Sequence, residues 1–92
     1  MRRPDPVARE QFLDFLQRLG AQRGAPALVL VTHHVEEIMP VFSHALLLRE
    51  GHIVAAGEKA SVLTGALLSR TFAAPLRIVQ RARRYALARK SG

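Results

Sequence analysis

Ala8, Phe12, Leu13, Phe15, Leu16 and Leu19 recur at helical spacing, with Arg9, Glu10, Asp14, Gln17 and Arg18 between them. That pattern predicts an amphipathic helix. Asp5-Pro6 supplies its start, because an aspartate N-cap accepts bonds from orphan N–H groups and a proline at the first position has no N–H to lose. Gly20 and Gly24 offer places for it to end. The pattern then changes. "ALVLVT", residues 27–32, has no polar break and is β-branched at Val29 and Val31, as expected of a strand buried on both faces. "HVEEIM" follows as a short helix stopped by Pro40.

In "HALLLREGHIVAAG" two apolar runs flank Glu50-Gly51, which predicts a hairpin whose glycine takes a positive φ. Glu58 to Leu63 can form a short helix, and "TGALLSRTF" a second helix or a turn. Pro75 breaks the chain before a final basic segment, predicted to be helical. The expected order is helix, buried strand, short helix, β-hairpin and C-terminal helices, an α/β arrangement. A lone doubly buried strand needs neighbours. Either it pairs with the hairpin in a minimal sheet, or the chain is a piece of a larger α/β fold.

Composition narrows the partners. The chain has 92 residues, no cysteine and a net charge of +7, so it holds neither disulfides nor a thiolate metal site. Arg77, Arg81, Arg83, Arg84, Arg89 and Lys90 crowd the last segment with no acid among them. Such a tail can be a solvated helix end, or can meet nucleic acid, anionic lipid or an acidic protein surface. The apolar run at residues 25–31 is too short to span a bilayer, and "MRRPDPVARE" lacks the apolar stretch of a secretory signal. A soluble cytoplasmic chain is expected.

"GHIVAAGEKAS" fails as a phosphate cradle, because its glycines are too far apart and Glu58 precedes Lys59. His33, His34, Glu36 and Glu37 are dense in metal-ligating types, and on a helix His33 and Glu37 would share a face. No third ligand at zinc spacing accompanies them. His33 stands one residue beyond the predicted strand, where ligand-contacting groups lie in open α/β sheets. An imidazole there can donate to a phosphate or carboxylate. The plainer alternative is that both histidines only open the short helix.

"LVTHHVEEI" followed by "HALLLREGHIVAAGE" resembles the C-terminal part of the ATP-binding-cassette (ABC) ATPases, the ATP-binding subunits of ABC transporters. "PDPVAREQFLDFLQRL" is similar to the family's D-loop and following helix, with Pro4 where leucine is usual. The resemblance runs from D-loop through switch loop, over roughly residues 5 to 75, and implies a piece of a P-loop NTPase fold in residues 1–75. Residues 76–92 are left as a basic helical tail. It makes His33 the switch histidine, which contacts the γ-phosphate of ATP and serves catalysis, and Glu37 the acidic residue four positions on. Asp5 becomes the D-loop aspartate that contacts the opposing subunit. ATP and Mg²⁺ are implied for the intact family, as are a second ATPase subunit and membrane transporter subunits at the inner face of the cell membrane.

The family's phosphate-binding loop, glutamine loop, signature and Walker B segment precede the D-loop and do not occur in this sequence. Phosphoryl transfer needs the cradle and the Mg²⁺ ligands, so a truncated chain, inactive alone and without bound cofactor, is expected. The competing expectation is a small basic module that contacts nucleic acid or an acidic protein surface. Tyr85 is the only aromatic residue in its tail, so base stacking is not indicated.

Overall fold

The computed structural model describes residues 5–90; Pro4, the departure from the D-loop pattern, lies outside them. Helix α1 spans Pro6–Ala21 and starts as the sequence predicts. Asp5 accepts a hydrogen bond from Val7 N at 3.1 Å, and Pro6 occupies the first helical position. The helix buries Leu13 but leaves Val7, Phe12 and Phe15 more than half exposed. Gly20 lets α1 approach the following segment closely: a Cβ there would stand 2.5 Å from Val41 Cγ2. Gln17 Oε1 accepts from Val41 N at 2.7 Å on the same side.

Residues 27–32 form neither helix nor strand and pair with no strand among the described residues. Leu28, Leu30 and Thr32 are half-buried, whereas Val29 and Val31 are 89% and 93% exposed. This corrects the expectation of a strand buried on both faces. The minimal sheet is not formed either, because among the described residues each hairpin pairs only with itself. A single 3-10 turn, Val35–Glu37, stands where the short helix was expected.

Strands β1 (His44–Arg49) and β2 (His52–Glu58) form the predicted antiparallel hairpin, with an irregularity between Leu47 and Leu48. Glu50 and Gly51 both have positive φ (51° and 78°), as a two-residue turn matched to strand twist requires. Helix α2 is one turn, Lys59–Val62, and α3 spans Gly65–Phe72. Thr64 caps α3 by accepting from Leu67 N at 3.2 Å.

The basic segment after Pro75 is not helical. It forms a second hairpin, β3 (Leu76–Arg81) with β4 (Arg84–Arg89), through a turn at Ala82 and Arg83 where both φ are positive. Ser69 of α3 fixes its start by bonding both Leu76 N (2.9 Å) and Leu76 O (3.0 Å). The physical reason for the hairpin is burial. Tyr85 enters a cluster with Val35, Leu63 and Leu68, and Ile78 and Leu87 pack against it with Ala45, Leu47 and Ile38. A strand lets these apolar residues reach the core while most of the arginines stay in water.

Candidate functional site

The apolar run ends at Thr32, and the next five residues fold back on that threonine. Its Oγ1 accepts from His34 N at 2.9 Å and donates to Glu37 Oε1. One hydroxyl thus bridges the start and the end of the loop, a local arrangement that Ser and Thr favour at turns. The 3-10 turn itself holds two backbone bonds, Glu37 N to His34 O and Ile38 N to Val35 O, both 3.1 Å.

His33 lies on this loop, exposed, with no hydrogen bond from its ring to the described residues. His34 is the residue preceding the 3-10 turn and caps it with its backbone only. Both imidazoles are exposed and free of ring hydrogen bonds to the described residues; the two histidines differ in place, since His33 directly follows Thr32 while His34 opens the turn with its backbone. Glu37 does not share a helical face with His33, because the segment is one 3-10 turn rather than an α-helix. Its carboxylate instead takes the Thr32 hydroxyl and lies 3.3 Å from Arg9 Nε of α1. The Arg9 N–H is not aimed at that oxygen, so the contact is an ion pair and not a hydrogen bond.

A second anchor comes from the far end of the chain. Arg84 grips Glu10 of α1 with both nitrogens of its fork, at 2.7 and 3.2 Å, and donates to the Glu36 carbonyl at 2.6 Å. The Arg84 hydrogen bond holds the Glu10 carboxyl below its ordinary pKa, and the same bond raises that of Arg84. Asp5 sits at the start of α1, exposed, with one carboxylate oxygen committed to the cap. Among the described residues no three His, Asp or Glu side chains converge as metal ligands.

The remaining arginines of the second hairpin are exposed. Arg81 and Arg83 line an open cleft of about 370 Å³ with Pro40, Lys59, Gln80, Ala82 and Tyr85. Lys59 donates to the Pro40 carbonyl there at 3.0 Å. Burial, then the charge of Arg83, lowers its pKa.

Sequence reading singled out His33, Asp5 and Glu37. It missed Arg9, Glu10, Thr32 and Arg84, which hold the loop. Thr32 could have been found, since a threonine two residues before the turn is a local signal. Arg84 could not, because its partners are 74 and 48 positions away.

Fold and loop together define a mixed α/β segment that presents exposed His33 just before an anchored turn, at the end of an unpaired apolar run. Its relatives name the family. The chain is 41% identical over 75 residues to an uncharacterised ABC transporter ATP-binding protein, YlmA, of Bacillus subtilis, a match covering 82% of this chain and 28% of that protein. It is 40% identical over 75 residues to a putative ABC transporter ATP-binding protein of Streptococcus mutans, covering 82% of this chain and 29% of that one. A thiamine import ATP-binding protein, ThiQ, of Vibrio parahaemolyticus is 39% identical over 54 residues, 59% of this chain and 23% of ThiQ. No protein-family model matches. The chain is a partial homologue of the ABC transporter ATP-binding proteins, and it spans less than a third of the length of the curated relatives it matches. No helix among the described residues is long and apolar enough to cross a membrane.

Proposed function

We propose that this chain forms the D-loop-to-switch-loop portion of an ABC-type ATP-binding cassette, in which His33 holds the terminal phosphate of ATP. The observation that carries this reading is the placement of His33, exposed and directly after Thr32, on a loop braced from both sides. An imidazole N–H aimed from a fixed loop stabilises charge that develops on a phosphate oxygen, and bracing removes the need to reorganise during reaction. Glu37 is engaged by Thr32 and Arg9, so its part is to hold the loop rather than to act as a base.

The sequence contains no G-x-x-x-x-G-K-[ST] loop. The reading therefore gives this chain one phosphate contact and assigns the cradle and the Mg²⁺ ligands to other parts of a cassette. The bare faces of Val29 and Val31 support the same view: residues 27–32 become a strand of the cassette's sheet once neighbouring strands are supplied. Asp5 keeps one carboxylate oxygen outside the helix cap and is proposed to contact the opposing ATPase subunit. Membrane transporter subunits, with the cassette at the inner face of the membrane, complete the proposal.

The test is a chimera in which these residues replace the matching segment of the Bacillus subtilis relative. His33→Ala is expected to lower ATP turnover by about 100-fold or more, the scale for losing one transition-state donor, with nucleotide affinity within about threefold of the parent. Equal loss of turnover and affinity, or retention of turnover, refutes the assignment.

A further inference from the structure

We infer that Arg84 is a positioning residue for the His33 loop, so that the second hairpin sets how the histidine is presented. The inference rests on the reading of His33 as a phosphate contact for its functional meaning, and on the geometry of the clasp for its substance.

A single 3-10 turn holds little structure by itself, since its hydrogen bonds are few and their geometry is poor. The turn at Val35–Glu37 is positioned from outside, and adjacent residues of β4 do it. Tyr85 joins Val35 in the buried cluster, while Arg84 binds the carbonyl of Glu36. The same guanidinium is braced by the two oxygens of Glu10 on α1. Arg9, next to Glu10, contacts Glu37 at the end of the turn. Two elements distant in sequence, α1 and β4, thus close on one loop, and Arg84 of β4 is the side chain that touches both α1 and the loop.

The other basic residues of this hairpin do not share that role. Arg77, Arg81, Arg83 and Arg89 are exposed, whereas Arg84 is half-buried. The requirement is for the fork and not only for charge. A guanidinium can bind both carboxylate oxygens and a carbonyl at once, and a lysine ammonium on a flexible stem cannot reproduce that planar geometry. When the clasp is released, the loop is tied to α1 only by the Arg9–Glu37 contact, its Thr32 and turn bonds open more often, and His33 samples more orientations.

Amide hydrogen exchange on the ¹⁵N-labelled 92-residue chain tests this. Arg84→Met is expected to speed exchange at the His34 and Glu37 amides about tenfold, as loss of a charged hydrogen-bond anchor should, with the β1–β2 hairpin unchanged. Arg84→Lys should fail to restore protection. Arg81→Met should leave it intact. Glu10→Gln, which spares the Glu36 bond, should give a smaller rise of about threefold. Unchanged exchange at His34 in Arg84→Met overturns the inference. So does uniform acceleration across the chain, which marks a merely structural residue, or an unprotected His34 amide in the native chain. In the chimera, Arg84→Met should lower kcat and leave KM for ATP unchanged. Turnover that survives His33→Ala, combined with a His34 amide freed by Arg84→Met, removes the phosphate assignment and leaves the clasp standing. The reverse pair of results removes the clasp alone.

Discussion

Val29 and Val31 give the sharpest test of whether residues 27–32 are a strand awaiting neighbours. In the chain alone they are 89% and 93% exposed, so there is almost no burial to lose. Replacing both with lysine should change the stability of the 92-residue chain by no more than about 0.5 kcal/mol, the usual range for open surface sites. In a complete cassette the same side chains would be enclosed by sheet neighbours. Each valine then contributes about 1.5–3 kcal/mol by burial, giving about 3–6 kcal/mol for the pair, and the enclosed ammonium groups add a further penalty. Urea unfolding followed by circular dichroism separates the cases. With a slope of about 1–3 kcal/mol per molar, the double variant should leave the midpoint of the chain alone nearly fixed. It should lower that of the Bacillus subtilis chimera by about 1 M or more. A chimera indifferent to two lysines at these positions refutes the strand. A large loss in the chain alone refutes the exposure from which the reasoning starts.

Leu68 is fully buried at the centre of the core, so Leu68→Ala should cost about 2–5 kcal/mol in chemical denaturation of the chain. Gly20→Ala should destabilise by about 1–3 kcal/mol from crowding against Val41, and Val41→Ala in the same chain should recover most of it, read as coupling in a double-mutant cycle. Lowered in the folded chain by Arg84, the pKa of Glu10 makes the unfolded state bind more protons between the two values. Its contribution is complete above the ordinary carboxylate pKa and is lost as pH falls through the lower, folded value. Because Glu10 is half exposed, the loss is small, and it should vanish from an acid titration of Arg84→Met.

The parts of the fold that were legible in the sequence are those fixed by neighbours in the chain. Asp5-Pro6 starts α1 through a cap two residues long, and Glu50-Gly51 turns the first hairpin through its own backbone angles. Thr64 at the start of α3 is a signal of the same kind. The second hairpin was hidden by composition. Its arginines and alanines favour a helix in isolation, and its turn at Ala82-Arg83 lacks the glycine or asparagine that usually marks positive φ. What decides it is Tyr85 meeting Val35 and Leu68, a tertiary contact that overrides propensity. Residues 27–32 show the converse. Their apolar continuity describes an environment on both faces, and an environment is supplied by other segments, so the pattern was visible while the pairing was absent.

The loop divides along the same line, and the division says what each of its residues does. A histidine after Thr32 at the end of an apolar run can be picked out from local order, because its proposed work is done on a ligand and requires only a place at the end of that run. The groups that brace the loop work on the protein, and they are drawn from wherever the fold brings charge near the turn. Arg84 is the clearest example. Within a run of basic residues it reads as one more solvated charge, and its neighbours Arg81 and Arg83 do remain exposed. Only the strand that buries Tyr85 carries the adjacent guanidinium to Glu10 and to the Glu36 carbonyl. The helical tail expected from composition offers no such route, since it would leave Tyr85 without a place in the core. The error in secondary structure and the missed anchor therefore have one cause. Correcting the helix to a hairpin is what turns a surplus charge into part of the candidate site.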